Sequence, residues 1–165
     1  MVGVLEAIRR RRSIRRYKAK DLPQEYLDKI LEAGRLAPSA GNRQPWSFVV
    51  VTDPELRRRV AEVARHQMFM ADAGAIVVGC GHPDVSPRWY RVDVTIALQN
   101  IVLTATDLGL GSCWIGAFDE EEVRGVLGIP DDVRVLAMIS IGYPDESPTQ
   151  RPRKALSEIV HYNGW

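Results

Sequence analysis

The sequence predicts an α+β or α/β sandwich, with helices packed against a central sheet. Three observations support that expectation. Segments with apolar residues at helical spacing alternate with the short apolar runs Phe48–Val51 and Ala75–Val78 and the longer, mostly apolar Val133–Ile141. Gly109, Gly128 and Pro144 punctuate them. No repeat, low-complexity tract or linker interrupts the pattern, so residues 1–165 read as one domain. A chain of that length buries roughly 70% of its unfolded surface.

Val4, Leu5 and Ile8 recur at helical spacing and predict a short amphipathic helix over residues 2–11. Asp21 ahead of Pro23 signals a second helix, with Tyr26, Leu27, Ile30 and Leu31 on its buried stripe; Pro38 ends it near Leu36. Pro38 to Trp46 has loop composition but more hydrogen-bonding capacity than a plain turn needs. There, Asn42 and Gln44 either satisfy the loop backbone or face the amide-like edge of a heterocycle. The run Phe48–Val51 is a buried strand, and Asp53-Pro54 opens a third helix with an N-cap and a first-turn proline. Met68, Phe69 and Met70 lie ahead of the Ala75–Val78 strand as core, interface or pocket residues.

Trp89 to Leu108 is the longest periodic segment. Its apolar residues fall on nearly every face, which predicts a helix central to the domain or set in a subunit interface. Asp93 and Asn100 interrupt it too often for a membrane span, and Asp93 is expected either to pair with an arginine or to face solvent. Gly109 stops this helix, a short strand follows, and Gly116 offers a backbone that a flat ligand can approach closely. Asp119 with Glu122 resembles a capping box for a helix ending at Gly128. Val133–Ile141 is the last strand, followed by a polar, proline-rich tail.

Charge is the second organising feature. Six arginines fall within the eight residues Arg9–Arg16, with Ser13 among them. Such a cluster reads as a seat for one phosphate or as a patch for a phosphate polymer; the plainer reading is that it complements the C-terminal dipole of the first helix. Residues 9–20 hold eight basic groups, leaving 14 basic against 21 acidic groups elsewhere, although the net charge is +1. The positive charge is therefore local, which favours a defined anion site over general adhesion to nucleic acid. A second basic group, Arg151-Pro152-Arg153-Lys154, lies in the tail.

Cys80 and Cys113 sit in apolar runs and show no metal-ligand spacing, so both are expected as buried free thiols in a reducing cytoplasm. No signal peptide or membrane-spanning run is visible. His66, His82 and His161 are scattered, with no triad or metal spacing. Gly109-Leu110-Gly111 fails as a dinucleotide fingerprint, because the third glycine falls at Trp114 and the segment follows a helix. The chain has anion-binding equipment but no evident nucleophile or metal site, as expected where a bound cofactor supplies the chemistry.

Four motifs in order, Arg11-Arg12-Ser13-Ile14-Arg15, Ala37 to Trp46, Gly109 to Gly116 and Arg151 to Lys154, resemble those of the FMN-dependent nitroreductase family. The resemblance covers essentially the whole chain. It implies a nitroreductase-like α+β sandwich around a mixed sheet, forming an intertwined homodimer with FMN at the interface. By position it assigns Arg11, Arg12, Ser13, Arg153 and Arg151 to the FMN phosphate, and Arg15 to the pyrimidine edge of the flavin. Pro38, Ser39, Ala40, Asn42 and Gln44 line the ring from the other subunit, while Ile115, Gly116 and Ala117 face it from the opposite side. The long helix becomes the dimer core. NADH or NADPH then reduces the flavin, and a small-molecule acceptor (a nitroaromatic, a quinone or a free flavin) is reduced in a second step, with no side chain required as acid or base.

This chain is shorter than the larger family members, with little between the Ile76 strand and the Trp89 helix to cover the flavin. That implies an open pocket with loose specificity. Flavin-dependent dehalogenation or flavin cleavage ranks second, because no lid segment is visible. A nucleic-acid-binding module using Arg9–Arg16 ranks last, for want of any supporting motif.

Overall fold

The computed structural model describes residues 3–165, and it is an α+β sandwich of three layers. The first helix, α1, spans Val4–Arg10, short of the expected 2–11, and residue 2 lies outside the described residues. Its expected apolar stripe is not buried: Val4, Leu5 and Ile8 are exposed and only Ala7 packs inward. Helix α2 (Gln24–Arg35) begins one residue after Pro23, which occupies the N-cap, so Asp21 stays outside the first turn. Asp53 does cap α3 (Pro54–Val63), accepting from the Leu56 N–H at 2.7 Å, a contact typically worth about 1 kcal/mol.

The sheet has four strands in the order β1-β2-β4-β3: β1 (Trp46–Val51), β2 (Ala75–Gly81), β3 (Gly111–Ile115) and β4 (Arg134–Gly142). All three pairings are antiparallel, with Val51 opposite Ile76, Ala75 opposite Ile141 and Ile115 opposite Met138. The parallel component of the expected mixed sheet is confined to one bridge, Ser13 to Ser112. β1 starts at Trp46, two residues before the apolar run, because its first pairs with Gly81 and Cys80 are set by the ladder and not by hydrophobicity.

Alternation along the strands separates two cores. Ile76, Val78, Cys113, Ile115 and Met138 pack with Val60 of α3 and Val123 of α5 (Glu120–Leu127). Val77, Ile139 and Ile141 pack with Ile30 of α2 and with Val94, Leu98 and Ile101 of α4 (Tyr90–Asp107). Helix α4 is thus central within one chain, as its pattern predicts, and Asn100 ties it to α2 by donating to the Ala33 carbonyl at 3.1 Å. Asp119 caps α5 through the Glu121 and Glu122 N–H groups, but the reciprocal half of a capping box is not formed among the described residues. Glu120 instead accepts from Arg134 and the Val135 N–H, fixing α5 to β4. Gly128, at φ 65°, ends α5 in the left-handed conformation.

Both cysteines are free and buried, as expected. Burial pushes the Cys80 thiol up to about 11 and raises Cys113 as well. No described helix is long and apolar enough to cross a membrane.

Candidate functional site

The arginine run leaves α1 and becomes an extended segment against the sheet. Ile14 donates to the Ser112 carbonyl at 2.9 Å and Lys18 to the Tyr143 carbonyl at 2.9 Å, so Ser13 is placed directly beside β3. Tyr17 is buried beneath it, its hydroxyl donating to the Ile14 carbonyl at 2.8 Å and meeting Ser140 Oγ at 2.9 Å. Burial raises that phenol above its usual range. Arg12 donates to the Arg9 and Arg11 carbonyls at 2.7 and 2.9 Å. One arginine therefore does cap α1, as the dipole reading holds, while its neighbours remain available.

A concavity of about 180 Å³ opens beside this segment, lined by Arg11, Arg12, Ser13 and Arg15 and, from the tail, by Pro148 to Arg151 and Arg153. Five arginines line it and no carboxylate does. The geometry therefore brings the two basic groups of the sequence together. Such a donor set suits a phosphate dianion, since it gathers planar guanidinium forks and one hydroxyl around a small volume. Thr149 and Gln150 add polar lining that the sequence reading did not include; their only signal was adjacency to Arg151.

From Ser112 the chain runs along β3 to Ile115 and then to Gly116 and Ala117, both exposed. Four residues of strand place Gly116 about 13 Å from Ser112. Nothing lies within 4 Å of where a Cβ on Gly116 would stand, and its φ is not positive. No packing or backbone demand inside the chain accounts for a glycine there. An anion seat joined by one strand to a bare backbone edge fits a cofactor with a phosphate at one end and a flat ring at the other, which are the features of FMN.

The other segment assigned to the ring sits elsewhere. Pro38, Ser39, Ala40, Asn42 and Gln44 precede β1, at the opposite edge of the sheet from β3. Three strand spacings, about 14 Å, separate the two edges. One chain does not bring this loop to its own Gly116. The loop is nonetheless tightly built. Ser39 Oγ accepts from the Gln44 N–H at 2.9 Å, the Gln44 amide donates to the Asn42 carbonyl at 3.2 Å, and Asn42 and Gln44 both hold positive φ, 54° and 51°. Non-glycine residues in that region typically cost of order 1–3 kcal/mol each.

Asp93 departs from both expectations. It is 3% exposed and pairs with no arginine; its Oδ1 accepts from the Ala40 N–H at 3.2 Å, while Oδ2 is buried without a partner among the described residues. It anchors the loop to α4. His82 is half-buried and meets Ser47 Oγ at 2.8 Å, with no carboxylate completing a triad among the described residues. His66 is exposed, and no group of metal-ligating side chains occurs among the described residues.

The fold and these two surfaces define a three-layer α+β protein with a phosphate-type seat leading to an open, flat-ligand face. The Nitroreductase family matches residues 8–82 and 65–143 of the chain, so the chain belongs to the nitroreductase family. A provisionally named NADH dehydrogenase/NAD(P)H nitroreductase of Archaeoglobus fulgidus is 40% identical over 88% of each chain. The NADPH-flavin oxidoreductase of Vibrio harveyi is 32% identical over 99% of this chain and 75% of its own. The structure of an NADPH:FMN oxidoreductase from Vibrio harveyi complexed with NAD+ superposes with a TM-score of 0.90 at 31% identity, covering 98% of this chain and 77% of that one.

Proposed function

We propose that this chain passes electrons from NAD(P)H to a nitroaromatic, quinone or free flavin in two half-reactions at one FMN site, as a homodimer. It is an FMN-dependent NAD(P)H oxidoreductase, in keeping with its family membership. The observation that supports the finer reading most is the five-arginine seat joined through β3 to the bare Gly116 edge.

When bound, FMN supplies the hydride-accepting and hydride-donating centre at N5. Arg11, Arg12, Ser13, Arg151 and Arg153 bind its phosphate. Arg15, exposed at the rim of the seat, places positive charge toward the pyrimidine edge. The Ile115–Ala117 backbone covers one flank of the ring, Gly116 allowing close approach. Pro38, Ser39, Ala40, Asn42 and Gln44 approach from a second subunit, since their own chain holds them at the far sheet edge. Positioning by backbone and cation accounts for catalysis, with no side chain needed as acid or base.

Exposed apolar surface supports the dimer. Val4, Leu5, Ile8, Leu36, Trp89 and Val92 are exposed, as are Leu156, Ile159, Tyr162 and Trp165 in the tail. A separate groove of about 410 Å³ runs along Leu31, Trp46, Phe48 and Val50 at the β1 edge. Apolar surface on this scale is uncommon on a monomer. The exposed Gly116–Ala117 edge leaves the ring face open, which favours a broad acceptor range. Two buried free thiols fit a cytoplasmic setting.

The test is the visible spectrum of the purified protein before and after NADPH or NADH under nitrogen, followed by initial rates with nitroaromatic and quinone acceptors. Flavin bands that bleach with the nucleotide and recover with acceptor, with parallel double-reciprocal lines, are the expected result. A protein that takes up no FMN overturns the reading.

A further inference from the structure

We propose that Gln67 is a positioning residue for the hydride-transfer edge, its side-chain amide fixing the Gly116–Ala117 backbone from the end of α3. This rests on the reading above that the Gly116 segment faces the flavin. Gln67 Nε2 donates to the Ala117 carbonyl at 2.9 Å and to the Ala64 carbonyl at 2.9 Å, so both amide hydrogens are engaged.

The two ends of this bridge differ in kind. Ala64 is fully buried and closes α3, so that end is part of the packed core. Ala117 is exposed, and among the described residues its backbone makes no other hydrogen bond. The Gly116 edge therefore takes its orientation from β3 on one side and from Gln67 on the other. A helix C-cap alone does not call for a side chain that also reaches a segment 50 residues further on.

The backbone that aims Gln67 is itself unusual. Arg65 and His66, neither of them glycine, hold φ of 54° and 55° in succession. Side chains rarely adopt this region, and successive instances persist where the surroundings fix them, which is a feature of functional segments. Here Met68 donates to the His66 carbonyl at 2.8 Å, Met70 donates to the Gln67 carbonyl at 3.0 Å, and Met70 is fully buried. These bonds close the turn, and the Gln67 amide spans from the buried Ala64 carbonyl to the loop after β3.

Displacement of reacting groups by about 1 Å can cost on the order of 100-fold in rate. Gln67→Glu keeps the size and removes both donors; Gln67→Ala removes the reach; Gln67→Arg restores donors on a longer arm. Each full-length FMN-loaded variant is mixed anaerobically with whichever of NADPH or NADH bleaches the wild type, and the limiting bleaching rate is read beside FMN affinity and thermal midpoint. The expected result is a fall in limiting rate of roughly 10-fold or more in Q67E and Q67A. FMN affinity then stays within about 3-fold, because the phosphate seat is untouched, and Q67R recovers part of the rate. Should Q67A not fold, Q67E decides alone. Variants that bleach at the wild-type rate, or whose rate falls only as their thermal midpoint falls, overturn the role of Gln67 while leaving the site reading standing. Wild-type protein that takes up no FMN overturns both.

Discussion

The arginine-lined seat has two walls, and they are built differently. The N-terminal wall, Arg11 to Arg15, is stitched to the sheet by the Ile14, Lys18 and Arg16 backbone hydrogen bonds and rests on the buried Tyr17. In the C-terminal wall, the side-chain bonds of Arg153 among the described residues go only to the Arg151 and Pro152 carbonyls of the same segment. Every residue from Arg151 to Trp165 is exposed. One wall is preorganised by the fold of a single chain; the other needs something further to hold it. Preorganised groups bind without an ordering cost, whereas a loose wall pays that cost on binding. The proposed second subunit is the natural support, since Leu156, Ile159 and Tyr162 beyond Arg153 are exposed in one chain and Trp165 stacks only on His161 of the same tail among the described residues.

Breaking the firm wall is expected to have the largest effect. Hydrogen bonds to charged groups contribute about 1.5–3 kcal/mol each, so Arg11→Ala with Arg12→Ala weakens FMN binding on the order of 100-fold or more. Fluorescence titration of FMN at fixed salt measures this. Melting temperature falls only by what the lost Arg12 cap on α1 contributes, because Ile14 and Tyr17 still hold the segment. Wild-type affinity in the double variant places the phosphate elsewhere.

Removing the loose wall with its tail gives the next largest effect. A chain ending at Gln150 loses Arg151 and Arg153 and the exposed apolar segment together. Light scattering after size exclusion is expected to show monomer in place of dimer, with FMN binding weaker by roughly 10-fold or more. A truncated chain that stays dimeric moves the interface to the exposed faces of α1 and α4 and leaves the tail without the role assigned to it.

The same contrast explains what the sequence made legible. Elements held by their own pattern were readable: the apolar periodicity of α4, the Asp53 and Asp119 caps and the strand ending in Ile115 all formed as their residues predict. The arginine run was readable as a local concentration of charge, because charge density needs no partner to be seen, and the structure brings it together with Arg151 and Arg153. Features made by residues far apart in the chain were not. Asp93 in an apolar helix reads as an ion pair or a surface residue, but its partner is a backbone N–H at Ala40, and every non-proline residue has one of those. The insertion of β4 between β2 and β3 and the Ser47–His82 contact are likewise products of pairing, which periodicity does not encode. The burial of Val4, Leu5 and Ile8 failed for a related reason: amphipathicity specifies an apolar face without saying which molecule covers it.

The smallest expected effect is the sharpest test of whether the two walls grip one phosphate. Arg12→Ala and Arg153→Ala each lower FMN affinity, and groups that share a ligand atom cluster lose less together than the sum of their separate losses. A double-mutant cycle is expected to give a coupling of about 0.5–3 kcal/mol, the range for groups in one network. The sign follows from the geometry: once Arg12 is gone the phosphate shifts or hydrates, and Arg153, on the looser wall, has less to hold. Coupling within about 0.3 kcal/mol of zero means independent sites. In that case the tail arginines serve assembly, the firm wall alone seats the phosphate, and the grouping of the five arginines reflects the subunit interface more than the cofactor.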